Sequence, residues 1–462
     1  MIGRNGSIGR DLRRLLGRDA VLDDVATIEA VSRDATPGFS GRPDVVVKPS
    51  DTADVVSVVD YARRRGIPIV PRGAGSNLCA GTVPICGGIV LSMTRLRSIR
   101  EVAPNELLAV VEPGVTTAEL DESAAAHGLM FAPDPSSRNV ATVGGNVATC
   151  AGGLRGLKYG NTRHHILGLE VVIGTGDVIR TGGRLAKDVA GYDLTRLMVG
   201  SEGTLGVITE VTAALVTRPV SSRYGVAYFD DLSAAGAAVD GIVTSGIVPA
   251  TLEFLDSVCI SVVEEYAHLG LDTGAGALLL FGDDGHPDAV ADTVERMRAL
   301  CSASPGAISA VVAPDERTAS ALLHARRCSL PALARHGSHT VLEDVSVPRQ
   351  LIPEAVRRIR AIGQRHDVLI GVFGHAGDGN LHPTVVVDGA DSMARERCRL
   401  ALDEIFRMAL DLGGSITGEH GVGAAKLGYL EEQLGFAQVE LMRRIKAAFD
   451  PCGVMNPGKV GS

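Results

Sequence analysis

The chain has 462 residues, 45% of them hydrophobic, and a formal net charge of −9. That length suggests two or three domains with sizeable cores, and the acidic balance excludes non-specific nucleic-acid binding, which needs a basic surface. No apolar run approaches the ~18 residues of a membrane span, and the first residues lack the apolar segment of a signal peptide, so a cytoplasmic protein is expected. The eight cysteines (Cys79, Cys86, Cys150, Cys259, Cys301, Cys328, Cys398 and Cys452) form no Cys-x-x-Cys pair. Zinc ribbons and bound iron–sulfur clusters are therefore not expected, and free thiols are.

Residues 1–39 read as a helical lead-in carrying Arg4, Arg10, Arg13, Arg14 and Arg18. A solvated helix face is the simpler reading of these arginines; docking to a partner or to a membrane surface is the sharper one. From Asp44 a strand–helix alternation begins. Val45-Val46-Val47 is a short strand, and Asp51 caps a helix that stops at Gly66. Ile67–Val70 is the next strand, followed by strands at Ile89–Met93 and Leu107–Val111 and a helix from Thr117 to His127. Gly168–Ile173 and Val207–Thr212 are β-rich. Arg218-Pro219 followed by Ser221-Ser222 marks a boundary, so 40–218 and 219–462 are the expected domains. Beyond it strands at 224–229, 250–255 and 277–281 alternate with helices at 232–245, 256–269 and 287–301, an α+β pattern. An irregular stretch reaches to about 340. Two strands, 368–373 and 381–387, then flank a histidine-bearing turn; a helix over 391–412 and a final helix ending at Phe449 follow.

Glycine accounts for 56 residues, against roughly 7% in average usage, and the excess sits in a few segments. Pro71-Arg72-Gly73-Ala74-Gly75-Ser76-Asn77-Leu78 follows a strand, and its glycines let successive N–H groups converge on an anion. It has neither the third glycine of a Rossmann fingerprint nor the Gly-Lys of a Walker loop, and alone it reads as a tight turn. Three further segments accompany it. Pro133-Asp134-Pro135-Ser136-Ser137 leads to Val143-Gly144-Gly145-Asn146; Ala151-Gly152-Gly153 leads to Lys158-Tyr159-Gly160; and Gly200-Ser201-Glu202-Gly203-Thr204-Leu205-Gly206-Val207-Ile208 comes last.

A second constellation lies in Gly374-His375-Ala376-Gly377-Asp378-Gly379-Asn380-Leu381-His382. Asp-Gly and Gly-Asn are hairpin signals, so the turn brings His375 and His382 together on paired strands, where two imidazoles suit a divalent metal. Gly418-Glu419-His420-Gly421 supplies a third ligand candidate and a spare histidine. Asp378 is the residue its turn demands, and a fourth ligand only as the alternative. Arg326 and Arg327 are candidates for clamping a substrate carboxylate.

The ordered glycine segments resemble the FAD-binding domain of vanillyl-alcohol-oxidase-type flavoproteins, and within them the glycolate oxidase D subunits and the D-lactate and D-2-hydroxyglutarate dehydrogenases. The resemblance runs over roughly residues 40–460. It implies an α+β, two-domain flavoprotein: an FAD-binding domain, then a cap whose C-terminal segment returns to the flavin. Pro71, Gly73, Ala74, Gly75, Ser76, Asn77, Leu78, Pro133, Asp134, Ser137, Gly144, Gly145 and Asn146 would then cradle the cofactor. Gly152, Gly153, Tyr159 and Gly160 would line the flavin; Glu202, Gly203, Gly206 and Ile208 would lie towards the adenosine, and Asn456 would join the set. Some relatives attach flavin covalently through a histidine of the first loop. Ser76 and Asn77 stand here, so non-covalent FAD is expected.

The same resemblance implies a metal held by His375, His382 and Glu419, zinc being favoured over iron or manganese, with His420 as general base and Arg326 on the substrate carboxylate. The implied reaction oxidises a (D)-2-hydroxy acid to the 2-oxo acid, hydride passing to flavin N5. Electrons would leave to an external acceptor: an iron–sulfur subunit, a quinone or a cytochrome, with peripheral membrane association as a corollary. The chain departs from its relatives in having no Trp; Leu323 stands three residues before Arg326. It also has no Lys near Leu342-Glu343-Asp344 to hold a second carboxylate, which favours glycolate or D-lactate over 2-hydroxyglutarate. A D-2-hydroxyglutarate dehydrogenase, a non-catalytic FAD-binding subunit and a flavin-free metal hydrolase are the alternatives.

Overall fold

The computed structural model describes residues 2–185 and 187–462, with backbone alone for residues 2–6, so the side chain of Arg4 lies outside the described residues. Two compact units result. The first comprises Met1–Gly153, Gly160–Arg218 and Glu419–Ser462; the second comprises Leu154–Tyr159 and Pro219–Gly418.

In the first unit, Val45–Val47, Ile89–Ser92 and Ile69–Arg72 form a parallel core. Parallel strands are covered on both faces, which is why they read as near-continuous apolar runs. Helix Thr52–Arg65 covers this sheet. Asp51 caps it, accepting from the Asp54 N–H at 2.8 Å; Gly66 closes it at φ +61°, and Arg63, Arg64 and Arg65 crowd the last turn, where the helix dipole favours cations. Its buried Val55, Val58, Val59 and Ala62 share one face at helical spacing.

The lead-in is not helical throughout. Helix Ile2–Leu16 is followed by strand Val21–Leu22, which pairs antiparallel with Val45–Val47. Ile8, Leu12 and Val21 join the same core as Val55 and Val59, so these residues are an integral edge of the unit. A second, antiparallel sheet runs in the order Ile99–Ala103, Leu108–Val111, Gly206–Ala214, Ile166–Ile173, Val178–Gly182.

The returning segment 419–462 is fastened by buried polar groups. Lys446 Nζ donates to Asp450 Oδ2 (2.8 Å), Thr204 O (2.9 Å) and Met455 O (2.9 Å). The backbone of Met455 pairs with Ile69, continuing the parallel sheet by one bridge.

The second unit is one antiparallel sheet in the order Ala307–Val312, Ser221–Phe229, Ala277–Gly285, Thr251–Asp256, Leu369–His375, Asn380–Val387, His339–Leu342, with Val345–Ser346 also paired to Asn380–Val387. Helix Ile352–His366 buries Ile352, Ala355, Val356, Ile359 and Ile362, the i, i+3, i+4, i+7 stripe of an amphipathic helix. The stretch expected to be irregular up to 340 is ordered. It holds edge strand Ala307–Val312 and helix Glu316–Arg327, capped by Asp315 accepting from Thr318 N–H at 2.7 Å. All eight cysteines are free thiols.

Replacing Lys446 with Met would leave the Asp450 carboxylate buried with its charge uncompensated. A loss of about 3–5 kcal/mol is expected, as for other broken buried pairs. Denaturant unfolding followed by a probe in the first unit would show it, and an unchanged midpoint would refute it.

Candidate active site

The glycine segments converge within the first unit. A Cβ on Gly73 would strike Oγ1 of Thr142, the residue that caps helix Val143–Thr149 by accepting from Gly145 N–H at 3.1 Å. The loop at 73–77 and the Gly144-Gly145 turn therefore touch, and only a bare backbone allows it. Gly75, at φ +74°, lies against the guanidinium of Arg72, which is buried and bonded to Thr82 Oγ1 at 3.1 Å. Burial lowers the pKa of Arg72. Gly203 packs on Pro71, and Gly153 (φ +144°) on Asp134. Four segments far apart in sequence thus meet through glycine contacts that bring backbone close to backbone and side chain. Glycine-rich backbone without obstructing side chains is what a pyrophosphate can approach, so the residues present fit the cofactor.

Several residues expected at the cofactor have partners within the chain. Asn146 Nδ2 donates to Thr117 Oγ1 at 2.7 Å, and Asn456 Nδ2 donates to Gly81 O (2.9 Å) and Glu202 O (2.8 Å). Glu202, buried and at φ +54°, accepts from the N–H groups of Val422 and Gly423, both at 2.7 Å. Gly206 packs on Val171, and Ile208 lies partly buried against the core of the second sheet. Tyr159 belongs to the second unit, where its hydroxyl meets Asp284 Oδ1 at 2.7 Å while Lys158 Nζ pairs with Asp283 and Asp284. His165 stacks edge-on against Phe131.

The histidine hairpin is built by register. Strands Leu369–His375 and Asn380–Val387 pair with Phe373 opposite His382. His375 is two residues from Phe373, so it shares that face and lies diagonal to His382; their ring centroids are 5.3 Å apart. Both are buried, at 7% and 3% exposure. The next strand, Thr251–Asp256, sets Glu253 opposite His375, and its Oε1 is 2.6 Å from His375 Nδ1. Its Oε2 accepts from Arg326 Nε at 2.8 Å. Arg326, in the last turn of Glu316–Arg327, stacks 4.6 Å from the centroid of Phe373, whereas its neighbour Arg327 is exposed.

Asp344 fastens the chain at Thr417 and Gly418. Its Oδ1 accepts from Gly418 N–H (2.8 Å) and its Oδ2 from Thr417 Oγ1 (2.5 Å), and Ser346 and Ser415 exchange backbone bonds beside them. Glu419 is the next residue in the chain. His375 and His382 lie together in the second unit, and Glu419, the third ligand the resemblance implies, belongs to the first. Two imidazoles and a carboxylate are a donor set for a divalent ion of the zinc type. His420 Nε2 lies 3.8 Å from Glu419 Oε1.

Sequence reasoning missed Glu253. It sits in the apolar run Thr251-Leu252-Glu253-Phe254-Leu255, and a lone charge in an otherwise buried strand was the available signal.

The first unit thus gathers its glycine segments into one backbone-lined region, and the sheet of the second buries the histidine pair His375 and His382. Residues 43–182 match the FAD binding domain family, and 218–460 match the FAD linked oxidases, C-terminal domain family. The chain belongs to the FAD-linked oxidases. It is 47% identical to the glycolate oxidase subunit GlcD of Bacillus subtilis, over 93% of this chain and 91% of that protein. It is 36% identical to the D-lactate dehydrogenase of Archaeoglobus fulgidus, over 90% of this chain and 91% of that protein. Among solved structures, 4-ethylphenol oxidase from Gulosibacter chungangensis shares the fold at a TM-score of 0.82 and 21% identity, covering 99% of this chain and 97% of that one. p-Cresol methylhydroxylase does so at 0.83 and 17%, covering 100% and 97%.

Gly75→Ala would force a Cβ into the left-handed region, at about 1–2 kcal/mol, and into the Arg72 guanidinium. FAD retained on purification, read at ~450 nm against protein absorbance, is expected to fall about tenfold or more. A normal flavin content would show that this loop does not cradle the cofactor.

Proposed function

We propose that this chain oxidises a small D-2-hydroxy acid, glycolate or D-lactate, to the 2-oxo acid. The observation that carries the reading is the buried pair His375 and His382, joined to Arg326 through Glu253. The names of the relatives at 47% and 36% identity point the same way. FAD, when bound, supplies the two-electron acceptor for the hydride leaving the α-carbon. A divalent ion held by His375, His382 and Glu419 would supply Lewis acidity towards the hydroxyl and carboxylate oxygens of the acid.

The chain's own groups do the rest. Arg326, its Nε engaged by Glu253, offers its Nη edge to the substrate carboxylate. Arg327 is exposed and is not the clamp in this reading. His420 takes the hydroxyl proton, the role a neutral imidazole suits near pH 7. A monocarboxylate is favoured because residues 342–344 offer no cation, and Asp344 is committed to Thr417 and Gly418. Electrons pass on to an external acceptor, an iron–sulfur subunit, quinone or cytochrome. The arginines of the N-terminal helix are the proposed docking element for a partner or for the membrane surface. Among the described residues no helix is long and apolar enough to cross a membrane.

The test is an anaerobic visible spectrum of the holoprotein. Flavin bands near ~370 and ~450 nm should bleach with glycolate or D-lactate and stay with L-lactate. His375→Ala and His382→Ala should keep their flavin while the rate of bleaching falls by at least about 100-fold. Full turnover in either variant would exclude the metal-assisted mechanism. Bleaching by no hydroxy acid would favour a carrier subunit.

A further inference from the structure

Five side chains of the second unit close into a ring. Glu253 bonds His375 and Arg326; Arg326 stacks on Phe373; Phe373 lies 5.5 Å from His382, and His382 lies 5.3 Å from His375. Three neighbouring strands set the face they share, because Glu253 is opposite His375 and Phe373 is opposite His382. Glu253 is the one carboxylate in this ring and is 1% exposed.

A carboxylate accepts only, so its contact with His375 Nδ1 requires the proton on Nδ1 and leaves Nε2 as the lone-pair donor. Its other oxygen takes Arg326 Nε, which leaves the Nη edge of the guanidinium uncommitted by this pair. The pair Glu253–Arg326 is also neutral. A divalent ion, Glu419 and a monocarboxylate substrate would sum to zero beside it. Without Glu253 the buried guanidinium would add one uncompensated positive charge next to the cation site.

Resting on the metal reading above, we propose that Glu253 is the positioning residue of this centre: it sets the tautomer of His375 and anchors Arg326, so that metal affinity and carboxylate recognition depend on one buried side chain. Partners of this kind typically contribute 10–100-fold to metal affinity.

The experiment is zinc competition against a chromophoric chelator, run on FAD-loaded wild type, Glu253→Gln, and the double variant Glu253→Met/Arg326→Met. The double variant guards against a folding failure in Glu253→Gln, since removing both charges of a buried pair is better tolerated than removing one. The expected result is a 10–100-fold weaker zinc affinity in both variants, with flavin content and the melting temperature of the metal-free double variant close to wild type. Wild-type zinc affinity in a folded variant would overturn the role of Glu253 and leave the proposed function standing. Equal zinc binding by wild type and His375→Ala would overturn both.

Discussion

The strand Asn380–Val387 is buried along its whole length, and a polar side chain on it has no water to turn to. His382, Asn380 and Thr384 all lie on this strand, His375 lies on the strand beside it, and Glu253 on the next strand over. An unpaired polar group in such a place costs about 1–3 kcal/mol, and an unpaired charge far more. The second unit therefore retains histidine and glutamate in its interior only because they are arranged to satisfy one another. Antiparallel register does the arranging. A slip of one residue would turn Phe373, His375 and His382 to the opposite face and dissolve the cluster.

The first unit solves the opposite problem. Its loops have to present backbone N–H groups, so side chains must be kept away. Gly73 against Thr142 and Gly153 against Asp134 are approaches that a Cβ would block, and Gly203 lies tight on Pro71. Packing between segments, and not turn geometry alone, explains why glycine recurs there. The same contacts draw segments scattered over more than a hundred residues into one place, which is why the glycine segments carry information as a set and very little singly.

Legibility in the sequence followed from how local each signal was. The cap at Asp51, the stop at Gly66 and the hairpin around Asp378-Gly379-Asn380 are decided within a few residues, and their positions were readable. The edge strand Ala307–Val312 was not, because half its residues face solvent and its apolar content is diluted by Ser and Ala. Helix Glu316–Arg327, which carries Arg326, buries only Ala325 and Arg326 fully, with Leu322 and Leu323 partly buried against the core. Val21–Leu22 is two residues long and acquires strand character only from its pairing with Val45–Val47. Glu253 escaped notice for a related reason. Its partners, Arg326 and His375, lie 73 and 122 residues away, and nothing local announces them.

Glu202 shows how a residue can belong to a cofactor motif and yet act on the ligand loop. Within the first unit it is buried, and burial raises its pKa against the pull of the backbone N–H groups of Val422 and Gly423. Its left-handed backbone is the kind of strain that persists only where surrounding contacts over-determine it. Here both of its oxygens are taken by the loop that begins with Glu419 and His420, and Asn456 bonds its carbonyl from the chain's far end. The segment Gly200–Gly206 is thus tied through one carboxylate to the backbone three and four residues beyond Glu419. A change that loosens the glycine segment would be felt at Glu419 and His420 without touching either, because the bonds that hold their loop in place originate in that segment.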